Sequence, residues 1–334
     1  MALKVAINGF GRIGRCVARI LNDRNDIELV AVNDTASREM TKQLLKYDSV
    51  HGTFLDVVEW LEDDYLQIGK NKVKMYSTRD AKELDFAKLG VDIVLECTGA
   101  YLTQEKAQVF IDGGVKKVLF SAPAKDKETP TFVLGVNEKE YKGQSIVSNA
   151  SCTTNCLGPV AKVLDDAFKI QKGLMTTIHS YTNDQNLLDV KHSRDLRRAR
   201  AAALNMIPTT TGAAKAIGLV LPHLNGKLHG QSVRVPTPNV SMVDLNVLVG
   251  KKTSKEEINE LFKKASNGSL KGILEFDEDF RVSEDFQTST YSGSVAGDLT
   301  QVIDGDMIKV MAWYDNEWGY SHRLIDMALY ISKK

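Results

Sequence analysis

The chain is poor in cysteine and carries no excess of either charge. Four cysteines among 334 residues do not make a disulfide scaffold, and they suit a reducing compartment. No C-x-x-C pair occurs, so the usual spacing of a structural metal clip is missing and no metal is expected. Forty-three basic residues balance forty-three acidic ones. That argues against a chain built mainly to coat nucleic acid or an anionic membrane, and no dedicated nucleic-acid site is expected. No apolar run reaches the about 18 residues that suggest a membrane span. The opening "MALKVAINGF" reads as a strand from its third residue, not as a charged segment followed by an apolar one. The expectation is a cytoplasmic protein. Repeats, low-complexity tracts and obvious linkers are absent as well.

What is there has two rhythms, and the length favours two domains. Up to about residue 150, short apolar runs ("KVAI", "ELVAV", "DIVLE", "KVLF", "SIVS") alternate with amphipathic stretches such as "RIGRCVARILND" and "QEKAQVFIDGG". This is the pattern of βαβ units on a largely parallel sheet. Beyond residue 160, "LMTTIHSYT", "SVRVPTP", "SMVDLNVLVG", "TSTYSGSV" and "MIKVMAWYD" are longer and alternate more clearly. They predict an α+β domain with a mixed, mainly antiparallel sheet. The fold class is therefore α/β, with a Rossmann-type dinucleotide-binding domain over 1–151 and a catalytic domain over 152–317.

Gly9, Gly11 and Gly14 form G-x-G-x-x-G between an apolar strand and a helix. The first permits a tight turn, the second lets backbone approach a pyrophosphate, and the third lets helix and strand pack closely. Arg12 and Ile13 open the helix, whose free N–H groups suit phosphate. Asp34 ends the next strand, where a carboxylate can accept the ribose hydroxyls of NAD and repel a 2′-phosphate. Thr35, Ser37, Arg38 and Lys42 follow it and soften that exclusion, so NAD is expected with NADP use open.

"IVSNASCTTNCLGPV" sets Cys152 and Cys156 four residues apart after a short strand. The pair reads as a metal clip, a disulfide, a packed helix face or a nucleophile. At a helix N-terminus the dipole lowers a thiol pKa, and a thiolate there needs a base. His179 ends a strand at a polar turn; His229 and His322 are the nearest alternatives. Arg194, Arg197, Arg198 and Arg200, the run Thr209–Gly212, and Arg234 suit anions.

"INGFGRIGR", "SNASCTTNCLGP", "HSYTNDQ", "RVPTPN" and "WYDNEWGYS" together resemble phosphorylating glyceraldehyde-3-phosphate dehydrogenases, over essentially the whole chain. The resemblance implies that Cys152 is the nucleophile and His179 its acid/base partner, with Cys156 a packed neighbour. It implies a substrate, glyceraldehyde 3-phosphate, whose phosphate meets Thr182 and Arg234 with help from Arg198. Inorganic phosphate would meet Ser151, Thr153, Thr211 and Gly212. For NAD it adds Arg79, Ser121 and Asn316 to the glycine loop, Arg12, Ile13 and Asp34, with Asn316 holding the nicotinamide amide. It also implies a homotetramer and a C-terminal helix, 318–334, that returns to the first domain. Thr35 and Lys191 depart from the pattern of strictly NAD-dependent members. Erythrose-4-phosphate dehydrogenase, which hydrolyses the acyl enzyme, is the nearest alternative.

Overall fold

The computed structural model describes residues 2–334, which divide into two compact units. The first comprises the chain to Phe132, Lys139–Ala150 and Ser321–Lys334; the second comprises Val133–Glu138 and Ser151–Tyr320. Residues 133–138 thus group with the second unit, and so does the first turn of the C-terminal helix, where the sequence boundaries place neither.

In the first unit the strands are β1 (Leu3–Asn8), β2 (Ile27–Asn33), β3 (Tyr47–Asp48), β4 (Gly52–Thr53), β5 (Val58–Trp60), β6 (Tyr65–Ile68), β7 (Asn71–Tyr76), β8 (Ile93–Glu96), β9 (Lys117–Phe120) and β10 (Ile146–Ser148). Eight of them form one sheet in the order β10-β9-β8-β1-β2-β7-β6-β5. The pairs from β10 to β7 are parallel; β6 and β5 extend the edge antiparallel. Val5, Ala6 and Ile7 are all fully buried, because helices cover both faces of a parallel sheet. Those helices include α1 (Arg12–Asn22), α2 (Arg38–Lys46) and α3 (Gln104–Asp112). The five strands read from the sequence are all present. The edge built from residues 58–76 was not foreseen, since "VEW" and "YLQI" are too short and too polar to stand out.

The second unit holds α4 (Cys152–Phe168), β11 (Ile170–Ser180), β12 (Ile207–Thr210), α5 (Ala213–Val220), β13 (Leu228–Val235), β14 (Ser241–Val249), α6 (Lys255–Asn267), β15 (Leu274–Asp277), β16 (Gly293–Ala296), β17 (Gln301–Ile303) and β18 (Met307–Tyr314). Its sheet runs β12-β13-β11-β14-β18-β16-β15, with β17 beside β18. Two pairs, β11/β13 and β15/β16, are parallel and the rest are antiparallel. Strand β14 alternates strictly: Val243, Leu245 and Val247 are buried while Met242, Asp244 and Asn246 are half-exposed. One face therefore meets a core, and α4 lies against it through Cys156, Leu157, Val160 and Leu164, all fully buried. "TSTYSGSV" is strand only from Gly293 on. The chain closes with α7 (Trp318–Ser332).

Candidate active site

In the first unit, three glycines follow β1 for three separate reasons. Gly9 takes φ +98°, and a Cβ there would lie 2.7 Å from the Thr98 nitrogen. Gly14 carries α1 against the loop so closely that its Cβ would fall 2.3 Å from the Gly9 carbonyl oxygen. At Gly11, the residue before α1, no atom lies within 4 Å of where a Cβ would stand. That open approach to free helix N–H groups is the cradle a pyrophosphate needs.

A cleft of about 480 Å³ opens beside the loop, lined in part by Gly9, Gly11, Asp34, Thr35, Arg79 and Thr98. Asp34 is held by two backbone donors, Phe10 N–H at 2.8 Å and Ala36 N–H at 2.9 Å, so its carboxylate ties strand end to glycine loop. Arg12 pairs with Asp48, which leaves its main chain, not its guanidinium, to the first helical turn. That pairing and two backbone N–H donors hold the Asp48 carboxyl down at about 2 despite its burial. Ile13 follows in the same turn. Ser121 sits outside the cleft lining, with its hydroxyl against Cys97. Arg38 is turned to Asp64 and to the ring of Trp60, away from the role suggested by its place after Asp34.

Under the loop runs a chain of side chains that the sequence did not suggest. Asn33 donates to the Asn8 amide oxygen at 2.7 Å, Asn8 donates to Glu96 at 2.6 Å, and the Thr98 N–H donates to the other Glu96 oxygen at 2.8 Å. Each residue is at or just past the carboxyl end of a parallel strand, the edge where α/β sheets bind ligands.

In the second unit, α4 begins at Cys152. Its N-cap, Ser151, accepts from the Thr154 N–H at 3.1 Å. The Sγ of Cys152 lies 3.7 Å from His179 Nε2. His179 is the penultimate residue of β11, is 5% exposed, and faces Arg234 across the parallel register of β11 and β13. Its Nδ1 stands 2.7 Å from the Ser180 carbonyl oxygen. The carbonyl only accepts and favours a proton on Nδ1, whereas Arg234 Nη1, 3.0 Å from the same nitrogen, only donates and favours a bare one. A base toward sulfur requires the first tautomer, with the Nε2 lone pair free. Arg234 Nη1 donates to the same carbonyl at 2.9 Å and to Thr182 Oγ1 at 3.3 Å.

Burial, reinforced by the Arg234 charge, drives the His179 imidazole down to about 3, so it is neutral at pH 7. The expectation of a lowered thiol pKa at Cys152 is corrected. Burial pushes that thiol up, against the opposing pull of Arg234 and the Thr153 N–H. The helix terminus contributes, but enclosure of the sulfur outweighs it. Burial acts on each charge separately, whereas passing the proton from Sγ to Nε2 creates both at once. At an effective dielectric near 20, two charges at that separation attract by about 4 kcal/mol. The thiolate therefore depends on His179, as one half of a pair.

The remaining residues divide clearly. The hydroxyls of Thr153 and Tyr314 are hydrogen-bonded at 2.8 Å, and Tyr314 also meets Thr177 at 2.7 Å. Arg198 is committed to Asp184, to Thr209 Oγ1 at 2.8 Å and to the Thr210 carbonyl at 3.1 Å. Thr211 accepts from the Ala213 N–H at 3.2 Å, and Gly212 caps α5 with open space at its Cβ position. The amide oxygen of Asn316 accepts from Ser180 and Ser241. Cys156 is fully buried, its thiol raised by burial, and it packs where a Cβ on Gly293 would lie 2.8 Å from its sulfur. All four cysteines are free. His229 is exposed on β13 and His322 belongs to the first unit, which leaves His179 as the imidazole beside Cys152. Tyr314, Ser180 and Ser241 escaped the sequence reading because hydroxyls on strands carry no spacing signal.

Residues 3–104 match the family model for the NAD binding domain of glyceraldehyde 3-phosphate dehydrogenase, and residues 151–316 match the model for its C-terminal domain. The chain is 52% identical over 336 residues to glyceraldehyde-3-phosphate dehydrogenase of Geobacillus stearothermophilus, covering 100% of this chain and 99% of that one. It is 50% identical over 333 residues to glyceraldehyde-3-phosphate dehydrogenase 1 of Bacillus cereus, covering 99% of each. A chloroplastic glyceraldehyde-3-phosphate dehydrogenase A from Chlamydomonas reinhardtii is 52% identical over 335 residues, 99% of this chain and 89% of that one.

Proposed function

The chain belongs to the glyceraldehyde-3-phosphate dehydrogenase family, and from that premise we propose that it oxidises glyceraldehyde 3-phosphate to 1,3-bisphosphoglycerate with inorganic phosphate. The observation that carries this is the 3.7 Å approach of Cys152 Sγ to Nε2 of the neutral His179 imidazole. Such a pair suits acyl transfer through sulfur.

NAD is the cofactor, and the first unit's residues fit it: the open cradle at Gly11, the turn at Gly9, and Asp34 and Arg79 in the cleft. Bound NAD supplies a hydride acceptor. The chain's own residues do the rest. Nε2 of His179 takes the thiol proton as Sγ bonds to the aldehyde carbon and passes it to the former carbonyl oxygen, giving a thiohemiacetal and a bare nitrogen. The same nitrogen then takes the hydroxyl proton as the carbon is oxidised to a thioester. Phosphate oxygen attacks that carbonyl, the C–S bond breaks, and the thiolate recovers its proton.

Arg234 and Thr182 suit the substrate phosphate. The buried Nε–H of Arg234 has no partner among the described residues, so an anion there would satisfy it. Thr211, Gly212 and the Ser151–Thr153 turn suit inorganic phosphate, through helix N-termini whose backbone donors remain. Because Arg198 is committed to Asp184, its part is to stiffen this wall. Thr35 beside Asp34 in the cleft leaves room for NADP, with NAD preferred. We further propose a homotetramer: Leu187, Leu188, Val190, Leu196, Leu204 and Met206 are exposed within one short segment, an apolar display that a second copy would cover. No helix among the described residues is long and apolar enough to cross a membrane. With its four free cysteines, the protein fits the cytoplasm.

A spectrophotometric assay tests the function. Reduction of NAD should require both glyceraldehyde 3-phosphate and phosphate, and be slower with NADP. Phosphate-independent oxidation of erythrose 4-phosphate would reassign the enzyme.

A further inference from the structure

Two hydroxyls converge on one atom behind His179. Ser180 Oγ donates to the Asn316 amide oxygen at 2.9 Å, and Ser241 Oγ donates to the same oxygen at 2.7 Å. All three residues are buried, at 0%, 1% and 6% exposure. The Ser180 N–H donates to Ser241 Oγ at 3.1 Å, which fixes where that hydroxyl can send its proton. The next residue back, Val240, is a buried β-branched residue at φ +62°, a conformation that persists only where its surroundings demand it. The main chain of Asn316 is held just as firmly. Asp315 accepts from the N–H groups of Glu317, Trp318 and Thr288, pinning the turn into α7.

An amide oxygen has two acceptor positions, and both are taken by hydroxyls that donate. A flipped amide would set its NH2 against two donors and leave a buried oxygen facing away from them, so one orientation is selected. In that orientation Nδ2 points elsewhere, and it has no hydrogen-bond partner among the described residues. An unpartnered amide NH2 held in this way and left accessible is a donor open to an acceptor oxygen, such as that of a carboxamide.

We propose that Ser180 and Ser241 are positioning residues that lock the amide of Asn316, and so decide how the carboxamide-bearing ring of the cofactor is presented. This rests on the reading of Asn316 as the residue that meets the nicotinamide. Ser180 then serves both halves of the chemistry. Its carbonyl meets His179 Nδ1 while its hydroxyl sets the amide.

The test compares NAD with ADP-ribose, which lacks the nicotinamide, by calorimetry on the full-length protein. In S180A/S241A the affinity for NAD should fall roughly five- to ten-fold, the loss of one hydrogen bond's worth, while ADP-ribose binds as before. Oxidation of glyceraldehyde 3-phosphate deuterated at C1 adds a readout that mere loosening of the fold would not move. The wild type should yield one epimer of 4-deuterated NADH and the double variant a mixture. The single variants S180A and S241A, each losing one donor, give smaller shifts in the same direction and stand in if the double variant does not fold. An unchanged NAD/ADP-ribose ratio and a single epimer in the serine variants, while N316A collapses the ratio, would overturn the proposal alone. Equal loss of both ligands would assign the serines a structural role and overturn it too. If N316A itself leaves the ratio unchanged, Asn316 is not at the nicotinamide, and the reading beneath the proposal fails with it.

Discussion

Cys152 Sγ and His179 Nε2 lie 3.7 Å apart because a helix N-terminus and a strand end are brought to the same place in the second unit. Neither group is suited to charge by itself. Burial raises the thiol and lowers the imidazole. The alkylation rate of Cys152 by iodoacetamide should therefore follow the pair. In His179→Asn its pH profile should move to higher pH, and kcat should drop about 10²- to 10⁴-fold. A profile that does not move would mean that His179 is not the base. Cys152→Ser should nearly abolish turnover while NAD still binds.

Asp34 ties Ala36 and Phe10 together and faces the cleft with its charge. Asp34→Asn keeps the shape and one of the two backbone contacts but removes the charge, so the kcat/KM preference for NAD over NADP should narrow by roughly ten-fold or more. Asp34→Gly should narrow it as well. If the ratio holds in both variants, the ribose lies elsewhere.

Gly11 and Gly14 separate binding from folding. An alanine at Gly11 meets no protein atom, so Gly11→Ala should fold with an unchanged melting temperature yet bind NAD at least ten-fold more weakly. At Gly14 the methyl group would fall 2.3 Å from the Gly9 oxygen. Gly14→Ala should lose stability as well, by about 1–3 kcal/mol in denaturant titration. Equal affinity in wild type and Gly11→Ala would remove the pyrophosphate from this loop.

Arg234→Gln should raise the KM for glyceraldehyde 3-phosphate by roughly 10- to 100-fold, since a charge-assisted contact to phosphate is lost. Its effect on the KM for inorganic phosphate should be smaller. The reverse pattern would exchange the two anion sites.

Acid should destabilise the fold through buried imidazoles. Desolvation holds His179 down to about 3 and His322 down to about 4, against 6.5 as the ordinary value. Between those limits the unfolded chain binds the extra protons, so stability is fully present above pH 6.5 and falls as pH drops. Each histidine contributes a slope of about 1.4 kcal/mol per pH unit inside its window. Urea midpoints measured from pH 7 to pH 5 should show this, and His322→Asn should flatten the line. A midpoint that does not change over that range would contradict the buried, neutral assignment.

Much of the first unit was legible because its signals are local. An all-apolar run such as Val5–Ile7 states burial on both faces, and three glycines between strand and helix state a tight turn. Helix α4 declared itself as the stretch that follows a short strand and opens near Cys152, whereas its cap, Ser151, came from the structure. The edge strands over 58–76 and the short β12 did not, because pairing with a neighbour, not their own composition, makes them strands.

The amino-acid order alone determined the two rhythms, the glycine cradle, the acid after the second strand and a cysteine at a helix entrance. Each depends on residues within a few positions of one another. Only the tertiary structure chose His179 among six histidines, set Arg234 beside it across a strand register, and placed two serine hydroxyls on the Asn316 oxygen. It also reversed the expected shift of the Cys152 thiol. Desolvation depends on everything that encloses a group, and no local spacing records that.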